Sequence, residues 1–220
     1  METHDSANDP DQLSRRRFLR TVGAASAVGA AGGGVLGAAV VAGAAAQAQP
    51  RTAEPDKLAG ELEIELDVNG AKQKCMVEPR TTLLSALRDR LEPALTGTKL
   101  VCDNGNCGAC TVLVDGEPVY ACLTLAVRAR GRKVTTIEGV AKDGELSALQ
   151  QSFCEHDALM CGFCTPGFVM SISACLAKKP GASLDEIKHA CAGNLCRCGT
   201  YPHIFDAALA VARGAQGGPR

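Results

Sequence analysis

The sequence has few aromatic side chains and almost no net charge. Its 220 residues include no Trp, two Tyr and five Phe, and its 23 Lys and Arg are balanced by 24 Asp and Glu. Proteins that bind nucleic acids need a basic face for the phosphates, and many stack bases on aromatic rings. The composition therefore argues against a nucleic-acid partner. A glycine-rich nucleotide-binding loop and a nucleophile–base motif are also missing from the sequence, so we expect no catalytic residue on this chain.

Cysteine is missing before Cys75, and this first part of the chain begins with an export signal. Arg15, Arg16 and Arg17 precede a long uncharged stretch of mostly Ala and Gly, which ends at the small-residue site Ala46-Gln47-Ala48. These are the three parts of a secretory signal. The stretch from Ser14 to Leu19 resembles a twin-arginine signal. We expect residues 1–48 to be this signal and the protein to be periplasmic or otherwise exported.

A transmembrane helix is the alternative interpretation of the uncharged stretch, which is long enough to span a bilayer. Ala and Gly bury little apolar area and anchor poorly, so cleavage after Ala48 is favoured. Membrane attachment is expected only if the signal remains uncleaved. Because the twin-arginine route exports folded proteins, the cysteines can be either disulfides formed after export or metal ligands loaded before it.

The pattern after a linker over 49–60 predicts an α+β protein with two domains. In 61–138, hydrophobic and acidic residues first alternate, and Asn69-Gly70 and Asp115-Gly116 are typical hairpin turns. The predicted elements of this domain are one helix over 82–91 and strands over 62–68, 72–77, 111–114, 118–122 and 132–137.

Residues 139–214 predict an all-α domain of four helices, with a tail over 215–220. Pro166 suits the first position of a helix, and Ser183 with Glu186 forms a capping box. The predicted helices run from Leu146 to Leu159, from Pro166 to Lys179, from Ser183 to near Gly193, and from Pro202 to before Gly214.

Eight of the twelve cysteines form two sets, one in each predicted domain. The first has the C-x4-C-x2-C spacing of plant-type ferredoxins, with a fourth cysteine eleven residues later, and the second consists of a C-x2-C and a C-x-C pair. Disulfides are an alternative, but many of these neighbours are too close to bridge without strain. A zinc site is a second alternative, but zinc sites favour two C-x2-C pairs, and here one of the pairs is C-x-C. We therefore predict two [2Fe–2S] clusters, bound by Cys102, Cys107, Cys110 and Cys122, and by Cys161, Cys164, Cys196 and Cys198.

At these motifs the sequence resembles the small iron–sulfur subunits of the molybdenum hydroxylases, the family of xanthine dehydrogenase and aldehyde oxidoreductase, in its exported branch. The resemblance covers residues 62 to 213, and the segments that carry it are CGACTVLVDG at 107–116, ACLTL at 121–125, TIEG at 136–139, CGFCTPG at 161–167 and GNLCRCG at 193–199.

The resemblance implies a β-grasp ferredoxin-like domain followed by a four-helix [2Fe–2S] domain. It implies a large partner subunit whose molybdopterin hydroxylates an aldehyde or N-heterocycle, with the second cluster nearer the pterin. Electrons would leave through the first cluster to a flavin subunit or a cytochrome, which carries FAD or haem. Two alternatives remain open, a free exported ferredoxin-like carrier and a disulfide-built secreted binding module.

One position departs from the family, and four cysteines are left over. Met160 replaces the Gln that usually precedes the C-G-x-C motif and contacts the pterin, and a thioether offers no amide for that contact. The remaining cysteines are expected to be small buried thiols; they are Cys75, Cys154, Cys175 and Cys191.

Overall fold

The computed structural model describes residues 59–216, so the predicted signal and most of the predicted linker lie outside the described residues. Five strands form one mixed sheet in the order β2-β1-β5-β3-β4. The central pair β1 and β5 is parallel, and the other neighbours are antiparallel. The strand bounds are β1 Leu62–Val68, β2 Ala71–Val77, β3 Thr111–Val114, β4 Glu117–Tyr120 and β5 Lys133–Thr135.

The two predicted hairpins form because their turn residues tolerate the required backbone angles. Asn69 and Gly70 have φ of 54° and 81°, as a two-residue turn between β1 and β2 requires. The turn fixes a register in which Leu62 pairs with Val77, and every second side chain of β1 then enters the core. β4 is shorter than predicted: it ends at Tyr120, because the amide of Thr124 turns back to the carbonyl of Tyr120 at 3.1 Å.

The helix predicted over 82–91 is less regular than a single α-helix. Thr82 caps one α-turn, α1 (Leu83–Ser85), and a wider π-helical turn follows over Ala86–Arg90. This turn closes when the amide of Leu91 bonds the carbonyl of Ala86 at 3.2 Å. The backbone of Leu91 is already extended, and Pro93 follows two residues later. The helix does not continue because the residue before a proline disfavours helical backbone angles.

The second part of the described chain contains four α-helices, as predicted, but with different ends. Capping boxes begin two of them, Ser147 with Gln150 and Ser183 with Glu186. The first helix is shorter than predicted, so Leu146 and Leu159 lie exposed outside it. The last helix passes through Gly214, so the prediction that it stops before this residue is wrong. The bounds are α2 Ala148–Glu155, α3 Thr165–Lys178, α4 Leu184–Ala190 and α5 Tyr201–Gln216.

Each part has its own hydrophobic core, which agrees with the predicted α+β class. One core lies under the sheet and is centred on side chains such as Leu66, Leu87 and Val112. The other fills the helical part around Phe153, Phe168 and Ile204. Within residues 59–216, no helix combines the length and the apolar character that a membrane span requires.

Candidate metal centres

The β3–β4 hairpin brings together two cysteines that are eleven residues apart in sequence. Cys110 directly precedes β3, and Cys122 follows β4, so the pairing of Thr111 with Tyr120 places them at the same end of the hairpin. The amide of Ala121 bonds the carbonyl of Cys110 at 3.2 Å. Both thiols are buried, and the thiol of Cys122 lies close enough to influence the pKa of Cys110. This end of the hairpin therefore offers a preformed pair of sulfur ligands.

The loop that leads into β3 supplies the other two cysteines of the first set. Cys102 and Cys107 are half-buried, and the thiol of Cys107 lies close enough to help lower the pKa of Cys102. The amide of Asn106 donates to Cys102 Sγ at 3.4 Å. Such a wrapped loop needs left-handed backbone, and Gly108 supplies it with a φ of 65°. Backbone amides aimed at sulfur are a standard way to tune an iron–sulfur cluster.

The second set lies around the start of α3 and the loop between α4 and α5. Cys164 is the residue preceding α3, and the thiol of Cys196 lies close enough to help raise its pKa. Cys161 lies close enough to affect Cys164 electrostatically. The sulfur of Cys196 is 3.3 Å from Thr200 Oγ1, and its amide donates to the hydroxyl of Tyr201 at 2.8 Å. Cys198 is exposed and lies two residues beyond Cys196.

The local environments shift the thiol pKa values in opposite directions. A hydrogen bond from the backbone of Asn104 lowers the pKa of Cys102 to about 7. Burial acts to raise the pKa of Cys196, but hydrogen bonds from Thr200 outweigh it and lower this pKa to about 7. Burial raises the pKa of Cys110 and of Cys164 to about 12. Each set therefore contains one thiol whose pKa is lowered and one whose pKa is raised, and metal binding requires the deprotonated form of both.

Each set offers four cysteine thiols, the donor set of a binuclear iron–sulfur cluster. Within the described part of the chain, no three His, Cys, Asp or Glu side chains are gathered closely enough to hold one ion. Three pairs of thiols lie close together instead, Cys102 with Cys107, Cys110 with Cys122 and Cys164 with Cys196, and in a [2Fe–2S] cluster four cysteines are shared between two irons. A structural zinc would require four ligands around one centre. All twelve cysteines are free thiols in the structure.

Of the four remaining cysteines, three are at least partly buried and one is exposed. Cys75 and Cys191 are buried and Cys175 is half-buried, whereas Cys154 is exposed. The prediction of a buried thiol is therefore wrong for Cys154. It lies on the outer side of α2, whose buried side is taken by Leu149 and Phe153.

Sequence reasoning did not identify two residues that organise the second set. Thr200 and Asn194 are almost fully buried and form hydrogen bonds around the cysteine loop. Asn194 does lie in the GNLCRCG segment, but only the fold shows what its side chain contacts. Polar residues in a loop are common, so spacing alone carries no signal for their roles.

Large apolar side chains are exposed around both cysteine sets. Beside the second set, Met160 and Phe163 are 68% and 50% exposed. Beside the first set, Leu123 is 63% exposed, and Val101 precedes Cys102 with a similar exposure of 55%. The ammonium of Lys99 lies 5.6 Å from the ring centre of Phe163, so the two regions adjoin. Clustered exposed apolar groups of this kind mark protein–protein contacts.

Two domain families match the chain, one for each cysteine set. Residues 66–134 match the 2Fe-2S iron-sulfur cluster binding domain, and residues 136–209 match the [2Fe-2S] binding domain.

The chain is also similar to curated proteins and to solved structures. The small subunit of nicotine 6-hydroxylase from Paenarthrobacter nicotinovorans is 47% identical over 67% of this chain and 88% of its own length. The iron-sulfur-binding subunit of aldehyde oxidoreductase from Escherichia coli O157:H7 is 42% identical over 66% of this chain and 69% of its own. A chain of quinoline 2-oxidoreductase from Pseudomonas putida 86 is 46% identical, covers 72% of this chain and 98% of itself, and superimposes with a TM-score of 0.67.

Proposed function

Because the chain belongs to the family of small iron–sulfur subunits of the molybdenum hydroxylases, we propose that it carries electrons from a molybdopterin-containing large subunit to a flavin or cytochrome acceptor. It is an electron-transfer subunit of a molybdenum oxidoreductase with two [2Fe–2S] domains. The observation that carries the proposal is the presence of two four-cysteine sets in which three pairs of thiols, Cys102 with Cys107, Cys110 with Cys122 and Cys164 with Cys196, already lie close together.

The chain's own residues bind the clusters and control their surroundings. Cys102, Cys107, Cys110 and Cys122 would hold the first, and Cys161, Cys164, Cys196 and Cys198 the second. A bound [2Fe–2S] cluster accepts and releases one electron at a time. The amide of Asn106 and the hydroxyl of Thr200 contribute hydrogen bonds to ligand sulfurs. Such bonds stabilise negative charge on the sulfurs.

The substrate is expected to be an aldehyde or an N-heterocycle. The relatives are named for nicotine, aldehyde and quinoline oxidation, yet their small subunits are 42–47% identical to this chain. A similar electron carrier thus serves different reactions. Substrate choice therefore belongs to the large subunit in this proposal.

The helical part is proposed to face the large subunit. Cys161 and Cys198 are exposed, with Met160 and Phe163 exposed beside them. The exposed apolar side chains near the first set, such as Leu123, would then contact the electron acceptor. A free carrier is the alternative, and the apolar surface disfavours it because a freely diffusing protein gains nothing from such exposure.

Metal content tests the proposed function. We expect the purified full chain to contain about four iron atoms and four acid-labile sulfides, because each [2Fe–2S] cluster supplies two of each. Iron and sulfide assays, visible absorption and reduction with dithionite would measure this directly. Stoichiometric zinc in a colourless protein would contradict the proposal. Molybdenum that copurifies from the native cells would support a large partner over a free carrier.

We propose that the protein is exported in its folded state by the twin-arginine route, on the basis of residues 14–19 and the stretch that follows. Replacing Arg15, Arg16 and Arg17 by Lys keeps the positive charge but removes the arginine pair. We expect the variant to accumulate as a cluster-loaded precursor in the cytoplasm, detected by fractionation and immunoblotting. Replacing Arg20 by Lys is the control and should leave export unchanged. Normal export of the triple variant would exclude this route.

A further inference from the structure

We propose that Asn194 is a positioning residue that holds the two cysteine loops in contact and thereby fixes the route by which an electron passes between them. The inference rests on the proposed function, because it gives a role to the contact between two cluster-binding loops. It is carried by three observations, which are a buried hydrogen-bonded side chain, a backbone bond between the loops, and close packing of backbone against backbone.

The side chain of Asn194 bridges three separate segments. Its Nδ2 donates to the carbonyl of Gly108 at 3.0 Å, and Gly108 lies between Cys107 and Cys110 in the first loop. Its Oδ1 accepts from Ser171 Oγ on α3 at 2.8 Å. Asn194 is only 4% exposed, so neither bond can be replaced by bulk water. This side chain therefore ties the first cysteine loop to the helical part.

The residue after Asn194 makes the most direct link between the two sets. The amide of Leu195 donates to the carbonyl of Cys107 at 2.9 Å. Cys107 is a predicted ligand of the first cluster, and Leu195 is covalently joined to Cys196, a predicted ligand of the second. One hydrogen bond and a few covalent bonds thus connect the backbones of the two ligands. Electrons tunnel more efficiently through such a bonded route than across a gap.

The first cysteine loop packs so closely against the helical part that the contact depends on small residues. A Cβ atom added to Gly108 would lie 2.6 Å from both the Asn194 amide nitrogen and the carbonyl oxygen of Gly193. A Cβ atom on Gly167, in the first turn of α3, would collide with the carbonyl of Gly108. The loops therefore touch at backbone distance, and the Asn194 side chain donates to the Gly108 carbonyl within this contact.

When both clusters are bound, the step through this contact is a simple one-electron exchange. Cys161, Cys164, Cys196 and Cys198 would hold the one-electron donor and Cys102, Cys107, Cys110 and Cys122 the one-electron acceptor, so one electron would pass between the sets and no bond or proton would move. Asn194 is not a ligand. Its role is to keep the Leu195 amide against the Cys107 carbonyl.

The test uses the full chain with Asn194→Ala and measures the contact without relying on turnover. Hydrogen–deuterium exchange reports the Leu195 amide, and EPR of the dithionite-reduced protein reports the magnetic interaction between the clusters. We expect the Leu195 amide to exchange at least about tenfold faster, since an unpartnered buried group costs more than the free energy that corresponds to that factor. We also expect the magnetic interaction to weaken.

Asn69→Ala is the matched control. Asn69 also bridges distant segments, accepting from the Thr136 amide at 2.9 Å and donating to Thr136 Oγ1 at 2.9 Å, but it lies at the β1–β2 turn. We expect this variant to lose stability without a change in Leu195 exchange or cluster interaction. If Asn194→Ala misfolds, Asn194→Leu keeps the volume without the donor and takes its place.

The outcomes separate this inference from the proposed function. A wild-type chain that lacks two clusters would contradict the proposed function. A fully loaded Asn194→Ala chain with wild-type Leu195 exchange and wild-type cluster interaction would overturn the role of Asn194 alone. Equal effects in the Asn69 and Asn194 variants would show a general loss of stability and would also overturn it.

Discussion

Replacing Cys164 by Ser is expected to remove about half of the iron, leaving about two iron atoms per chain and one EPR signal after dithionite reduction. The physical reason is that the Cys164 thiol is paired with Cys196 beside α3, whereas the first set lies at the end of the β3–β4 hairpin. Serine does not supply a thiolate, so only the second cluster should be lost. Iron assays and EPR measure both effects.

The Cys107→Ser variant should give the complementary result. It should also keep about two iron atoms, but its remaining signal should be the one that the Cys164 variant lacks. The two residual spectra should together account for the wild-type signals, apart from the interaction between the clusters. If either variant lost all four irons in a folded chain, the two sets would not be independent ligand groups.

Cysteines outside the two sets provide matched controls. Cys175→Ser and Cys154→Ser make the same chemical change at a half-buried and at an exposed thiol. Neither residue belongs to a predicted ligand set, so both variants should retain full iron and both EPR signals. A specific loss of one cluster in either control would show that the ligand assignment is wrong. Unfolding by urea would identify any control that fails for reasons of stability.

The elements that the sequence predicts well are those set by neighbouring residues. The turns at Asn69-Gly70 and Asp115-Gly116 depend on local backbone preferences, and both form as expected. The capping box of Ser183 with Glu186 likewise needs only residues three apart, and it begins α4. Cysteine spacing belongs to the same class, because a cluster loop is defined by short intervals.

The features that the sequence does not predict depend on contacts between distant residues. Leu146 and Leu159 fit a helical pattern, but both stay exposed because α2 begins after Ser147 and ends before Asp157, whose φ is 49°. Their hydrophobicity points to a surface contact rather than to the core of this chain. The role of Asn194 is similar, since Gly108 is 86 residues away and only the fold brings it near.

A charge placed at Met160 should reveal which face binds the large subunit. Met160 is 68% exposed directly before Cys161, and burying a new unpaired charge at this position in an interface would be costly. We expect Met160→Glu to weaken the large-subunit complex at least about 30-fold, which corresponds to about 2 kcal/mol. The variant should keep its iron, because Met160 is not a ligand. Copurification of molybdenum with the tagged full chain, relative to its iron, measures the effect.

Leu123→Glu is the matched variant at the other cysteine set. Leu123 is 63% exposed and follows Cys122, so the two substitutions place the same charge at similarly exposed apolar positions. In the proposed arrangement Leu123 faces the electron acceptor, and this variant should therefore retain molybdenum at the wild-type ratio to iron. The opposite result, with molybdenum lost from the Leu123 variant and kept by the Met160 variant, would reverse the proposed order of the two clusters. Loss in both would show that the large subunit covers both sets, because only a shared interface is sensitive to charge at both positions.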